Sequence, residues 1–147
     1  MKTLLLSVSA LLVLLATACN TKDHSNQQLQ DEMIAVHDEV MPMMSTFAHN
    51  SMAIDSILTH FKEIKIENPE IDTTEQKEKL TALKVKLDNA NDSMNDWMYD
   101  LNLDFDKMSK KEVKEYLEQQ RSKVDDINKQ FKELDAESKE ALSPFKP

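Results

Sequence analysis

The chain has 147 residues, of which 27 are acidic and 18 are lysine or arginine, so its formal net charge is −9. That length suits one domain, and the negative charge argues against binding of nucleic acid or anionic lipid surfaces through the protein itself. Glycine is absent and cysteine occurs once, which excludes glycine-rich phosphate loops and an internal disulfide bond.

The N-terminus has the layout of a bacterial lipoprotein signal peptide. Lys2 supplies a positive charge, an apolar run extends from Leu4 to Leu15, and the small residues 16–18 precede Cys19. The run is too short to span a bilayer. We expect residues 1–18 to be cleaved and Cys19 to be acylated, because a free thiol is a liability in an oxidising compartment. The alternative is an ordinary secretory signal followed by an incidental cysteine.

Acylation of Cys19 predicts where the protein resides. We expect it in the bacterial cell envelope, tethered by this lipid to the periplasmic or surface face of a membrane, with the outer membrane favoured. Residues 19–28 comprise the acylated cysteine and a polar stretch without hydrophobic periodicity, which is typical of a flexible tether.

The first helix is predicted over residues 27–66. Ser25 and Gln28 have the spacing of a capping box at its start, and Asn68-Pro69 ends it. Between them, apolar or small residues recur at alternating spacings of four and three, which is a heptad stripe. The stripe comprises Met33, His37, Val40, Met44, Phe47, Ser51, Ile54, Leu58 and Phe61.

Two more helices are predicted over residues 73–101 and 110–142. Thr73 with Gln76, and Ser109 with Glu112, have the spacing of capping boxes. The second helix carries the stripe Leu80, Leu83, Leu87, Ala90, Met94, Trp97 and Leu101. The third carries Val113, Leu117, Gln120, Val124, Ile127, Phe131, Leu134, Ser138 and Ala141. Residues 143–147, with two prolines, form a C-terminal tail.

Three long amphipathic helices with short connections predict an all-α fold, specifically an antiparallel three-helix up-down-up bundle with coiled-coil-like packing over residues 29–142. We expect this bundle to be a monomer. The alternative is an extended coiled-coil rod, since heptad stripes also suit partner helices. The short connections favour the compact bundle.

Soft ligands converge at one end of this predicted bundle. If the first two helices form a hairpin that turns near Pro69, then Met44 lies opposite Met94, Met41 opposite Trp97, and His37 opposite residue 101. His37, Met41 and Met44 share one face at spacings of four and three. The predicted cluster comprises His37, Met41, Met44, Met94 and Met98, with Trp97 as a shielding aromatic.

Imidazole and thioether groups suit Cu(I) or another soft metal, and they suit Mg²⁺ or Ca²⁺ poorly. The sequence therefore raises the hypothesis of a Cu(I) site in an envelope protein. Two alternatives stay open. The cluster is also typical of core packing, because methionine fills irregular gaps, and it is compatible with a groove for a hydrophobic peptide or an envelope protein partner. No serine or cysteine nucleophile stands beside a base, so the sequence does not predict an enzyme.

At the same residues the chain resembles a group of small lipoproteins of Bacteroidetes that carry the inherited label "viral A-type inclusion protein". The matching stretches are His37 to Pro42 with Met44, and Asp96-Trp97-Met98 preceded by Met94. The resemblance implies a helical lipoprotein and no viral role. Lys22-Asp23 also partly resembles the surface-export signal of such bacteria.

Overall fold

The computed structural model describes residues 25–145. These form four α-helices, Asn26–Thr59 (α1), Phe61–Glu67 (α2), Thr73–Asp100 (α3) and Lys110–Leu142 (α4), followed by a 3-10 turn at Ser143–Phe145. No β-strand occurs within this range, so the predicted all-α class is confirmed for this part of the chain. The predicted signal peptide and Cys19 lie outside the described residues.

The helix predicted over residues 27–66 is divided in two. His60 ends α1 with φ −102° and ψ 20°, and its backbone N–H donates to the carbonyls of Ile57 and Ser56. Its ring Nδ1 donates to the same Ser56 carbonyl at 2.8 Å. The heptad stripe passes this point without a slip, so periodicity alone did not reveal the break. By contrast, α1 continues through Pro42 as an α-helix.

The helix starts are only partly as predicted. The Ser25 side chain accepts from the Gln28 backbone N–H, as expected, and Ser109 and Glu112 form both bonds of the predicted capping box. The box at Thr73 is wrong, because Asp72 is the N-cap of α3 and accepts from two backbone N–H groups. A carboxylate is favoured there, since it also interacts with the positive end of the helix dipole.

Polar contacts show that α1 and α3 run antiparallel. Ser51 Oγ donates to Asp88 Oδ1 at 2.7 Å, and Lys84 Nζ lies 3.4 Å from Asp55 Oδ2. Both pairs lie within one residue of the register that a hairpin centred on Pro69 predicts. The connection is therefore close to symmetric about that proline.

Contacts between α1 and α4 show that these two helices run parallel. Lys132 Nζ lies 2.8 Å from Glu39 Oε1, and Asn50 Nδ2 donates to Ser138 Oγ at 3.1 Å. The hydrogen bond from Lys132 is the largest cause that lowers the pKa of Glu39. The N-terminal part of α1 therefore faces the middle of α4.

The three long helices enclose one hydrophobic core. Every residue of the three predicted stripes is buried or half-buried, which confirms the phase of each stripe. Phe47 and Phe131 stack across α1 and α4 with ring centroids 4.7 Å apart. All buried apolar side chains of the described range belong to this cluster, from Leu29 to Leu142. Because the core is self-contained, we expect a fragment that begins at residue 20 to fold alone.

Candidate metal-binding groove

A groove lies between the N-terminal half of α1 and the C-terminal end of α3, with a volume of about 360 Å³. Three of the six side chains that the sequence analysis grouped together line it: His37, Trp97 and Met98. The other lining residues are Gln30, Met33, Ile34, Asp38, Leu101 and Leu103. The groove therefore brings together an imidazole, an indole and two thioethers.

The other three predicted members do not line this groove. Met94 is fully buried, and Met44 is half-buried against the hydrophobic core. Met41 is 39% exposed, because it directly follows the fully buried Val40 and one residue rotates a helix by about 100°. Met41 lies about 40° around α1 from the half-buried His37, on the solvent side of the stripe that continues through Val40 and Met44.

Met33 is the groove residue that the predicted cluster omitted. It is only 2% exposed and lies one helical turn before His37, so both side chains belong to the same stripe. The spacing of four between Met33 and His37 could therefore have predicted that both side chains lie on one face. On the first helix, the predicted cluster extended only from His37 toward Met44, so it omitted the methionine one turn before His37.

The hydrogen bond of His37 determines which ring nitrogen is free. Nδ1 lies 3.0 Å from Oδ1 of Asp38, and the His37 side chain is 31% exposed. An ionised carboxylate only accepts hydrogen bonds, so Nδ1 carries the proton in this contact. The lone pair of the neutral ring is then on Nε2, the arrangement found when a carboxylate orients a metal-binding histidine.

Trp97 separates this groove from a second, more polar one. The side chain is 7% exposed, and its Nε1 is buried with no hydrogen-bond partner among the described residues. On its other side, Asp96, Asp100 and Asp126 line a groove between α3 and α4. Buried indole N–H groups usually find an acceptor, and none of the described residues supplies one here.

Among the described residues, the side chains that usually bind hard cations form no cluster that could hold a metal ion. Within residues 25–145, no three histidine, cysteine, aspartate or glutamate side chains come together in a way that suits a metal ion. In the groove, the thioethers of Met33 and Met98 and the imidazole of His37 are donors that suit soft metals, and the carboxylate of Asp38 is a hard donor beside them. Met33, Met98 and His37 are therefore the candidate ligands for a soft metal in this groove.

No family model, curated protein or solved structure matches this chain. Among the helices of residues 25–145, none has a stretch long and apolar enough to cross a membrane.

Proposed function

We propose that this chain is a lipid-anchored protein of the bacterial cell envelope. The sequence around Cys19 supports the anchor, and the polar residues that follow it support a tether. We further propose that the three long helices form a monomeric, antiparallel up-down-up bundle with coiled-coil-like packing. The opposite directions of α1 and α3, and the parallel directions of α1 and α4, support that arrangement.

We propose that the bundle binds Cu(I) or another soft metal in the groove beside Trp97. The observation that carries this proposal is that His37, Met33 and Met98 line one groove together. The ligand set is therefore His37 and Met98 from the sequence-based cluster, with Met33 as a third donor. Met44 and Met94 act as core residues, and Met41 is a nearby thioether that faces solvent.

Physical features of the groove favour a soft cation. The contact with Asp38 orients His37 and leaves the Nε2 lone pair of the neutral ring free for a metal. Thioethers do not titrate, so two of the three donors keep their lone pairs at any pH. The indole of Trp97 presents a π face that attracts a cation.

Titration with Cu(I) under reducing conditions tests the proposal. Trp97 is the only tryptophan, so its fluorescence reports on the groove directly. We expect quenching that saturates at one Cu(I) per chain, together with a rise in thermal stability, because a ligand that binds only the native state stabilises it.

Leucine variants identify the ligands. Met33→Leu with Met98→Leu removes the sulfur atoms while it keeps volume and hydrophobicity, at a cost in stability below about 1.5 kcal/mol. We expect this pair to abolish tight copper binding. Met44→Leu with Met94→Leu tests the original cluster in the same way and should leave binding intact. Met52→Leu, an exposed methionine farther along α1, is the matched control.

A protein-interaction module without a metal is the alternative function. The observation that favours it is that Ile34 and Leu103, at the edge of the groove, are 56% and 54% exposed. Exposed apolar side chains around a cavity are typical of a docking site. Copper binding that is absent, or weaker than micromolar in the unmodified chain, would leave this alternative as the better account.

A further inference from the structure

Charge is unevenly distributed over the chain. Residues 25–61 contain five acidic residues, and residues 87–106 contain six, yet neither segment contains a lysine or an arginine. These segments cover all of α1 and the C-terminal half of α3, which are the two elements that form the groove. The basic residues lie mainly in α4 and in the N-terminal half of α3.

Most of this negative charge is not neutralised within the fold. Among the eleven acids, Glu32 and Glu39 pair with basic residues of α4, and Asp55 and Asp88 pair with Lys84. The other seven form no ion pair with a lysine or arginine in the described range. They are Asp31, Asp38, Asp92, Asp96, Asp100, Asp104 and Asp106.

Four of the seven unneutralised acids lie in the groove lining or next to it in sequence. Asp38 lines the groove itself, and Asp31, Asp100 and Asp104 are each adjacent in sequence to a lining residue. The same lining includes the exposed side chains of Ile34 and Leu103 and the half-buried Met98. Like charges repel one another, so placing several acids beside exposed apolar groups does not stabilise the isolated monomer. A ligand that is both apolar and cationic can cover the apolar side chains and neutralise the acids.

We propose that the groove and its acidic surroundings bind a cationic amphipathic peptide segment. An apolar side chain of the segment enters the groove beside Trp97, as in other cases where a helix docks through its apolar face. Lysines or arginines on either side of that residue lie near Asp31, Asp38, Asp100 and Asp104. This inference goes beyond copper binding and does not depend on it, because leucine in place of Met33 and Met98 keeps the groove apolar.

The test uses residues 20–147 and a synthetic amphipathic peptide of leucine and lysine without tryptophan, in the presence of a metal chelator. We expect the peptide to shift the Trp97 emission and to bind at micromolar concentrations. Binding should weaken by about tenfold between low salt and a few hundred millimolar salt, because screening reduces attraction between exposed charges. A peptide of the same composition in scrambled, non-amphipathic order, and a leucine–glutamate peptide, should not shift the emission.

Two matched charge variants separate a specific site from general attraction. Asp31→Asn with Asp100→Asn and Asp104→Asn removes three acids next to the groove and should weaken binding about tenfold. The control variant removes three exposed acids of α4 by the substitutions Glu118→Gln, Glu133→Gln and Glu140→Gln. It should change peptide affinity by less than about twofold. Circular dichroism confirms that both variants remain folded.

Three outcomes would overturn the proposal. They are equal weakening in the two triple variants, equal binding of the amphipathic and scrambled peptides, and no shift of Trp97 emission with any peptide. The Met33→Leu and Met98→Leu pair separates this proposal from copper binding. If this variant loses copper binding and keeps peptide binding, both proposals are supported. If the original chain binds the peptide but no copper, only the metal site is contradicted.

Discussion

At the scale of single residues, the heptad pattern predicted burial better than it predicted partners. Every stripe position is buried or half-buried, because the 3.6-residue repeat determines which side of a helix faces the core. The pattern gave equivalent stripe positions to Met33, which lines the groove, and to Met94, which is fully buried and does not line it. That difference depends on the local separation of α1 and α3, and a one-dimensional repeat does not encode it.

Ser51 illustrates a partner that periodicity did not reveal. It is 6% exposed, and its hydroxyl donates to Asp88 of α3 at 2.7 Å. We expect Ser51→Ala to lower the free energy of unfolding by about 0.5–1.5 kcal/mol at neutral pH, the net contribution of one such hydrogen bond. Urea denaturation measures this change. Ser56→Ala, at an exposed site on the same helix, is the control and should have little effect.

The same pair predicts a pH dependence of stability. The hydrogen bond from Ser51 is the largest cause that lowers the pKa of Asp88 from its ordinary value of 3.8, with Lys84 adding to it. The folded state therefore binds this proton more weakly than the unfolded state. The resulting stabilisation is present above the ordinary pKa and is lost as the pH falls through the lowered value. The difference in free energy of unfolding between the original chain and Ser51→Ala should therefore become smaller as the pH falls through this range. A difference that stays constant would contradict this assignment.

At the scale of helices, the long elements were predicted well and their ends less well. The break at His60 and the start of α3 both depend on side-chain hydrogen bonds to the backbone. In the connection after α2, Lys65 Nζ donates to the carbonyls of Pro69 and Ile71 at 2.6 and 2.7 Å. A lysine at this position gives no sequence signal for a turn, yet it stabilises a connection that has no glycine.

Capping variants test which residue starts α3. Asp72 Oδ1 accepts from the backbone N–H groups of Thr74 and Glu75 at 3.0 and 3.1 Å. We expect Asp72→Ala to lower the free energy of unfolding by about 1 kcal/mol, and Thr73→Ala to change it by only a few tenths of a kcal/mol. Thermal or urea denaturation of the two variants measures both values. A larger loss for Thr73→Ala would favour the capping box that the sequence spacing suggested.

At the scale of the whole molecule, the register of α1 against α3 followed from the position of Pro69. The predicted pairing and the observed one differ by a single residue at Ser51 and Asp55, because a short connection forces residues equally distant from it to lie side by side. The uneven distribution of charge was equally visible in the sequence. The sequence alone did not link this charge to a binding site, because that link depends on α1 and the end of α3 lying together around an apolar groove.

The proposed membrane anchor also concerns the whole molecule. We expect Cys19→Ser to move the protein from the membrane fraction to the soluble fraction and to abolish incorporation of a fatty-acid label, because serine offers no thiol for acylation. The variant should also accumulate as an uncleaved or differently cleaved precursor. Membrane fractionation and lipid labelling that do not change would contradict the lipoprotein assignment and favour an ordinary secretory signal.

X-ray absorption spectroscopy of the Cu(I)-loaded fragment, residues 20–147, tests the proposed metal site most directly. The technique distinguishes nitrogen from sulfur among the atoms bound to the metal. The groove predicts one imidazole nitrogen from His37 and two thioether sulfurs from Met33 and Met98. It also predicts that the Met33→Leu and Met98→Leu pair loses the sulfur contribution, while Met44→Leu with Met94→Leu retains it. A spectrum without sulfur, or sulfur that persists in the first pair, would contradict copper binding in this groove.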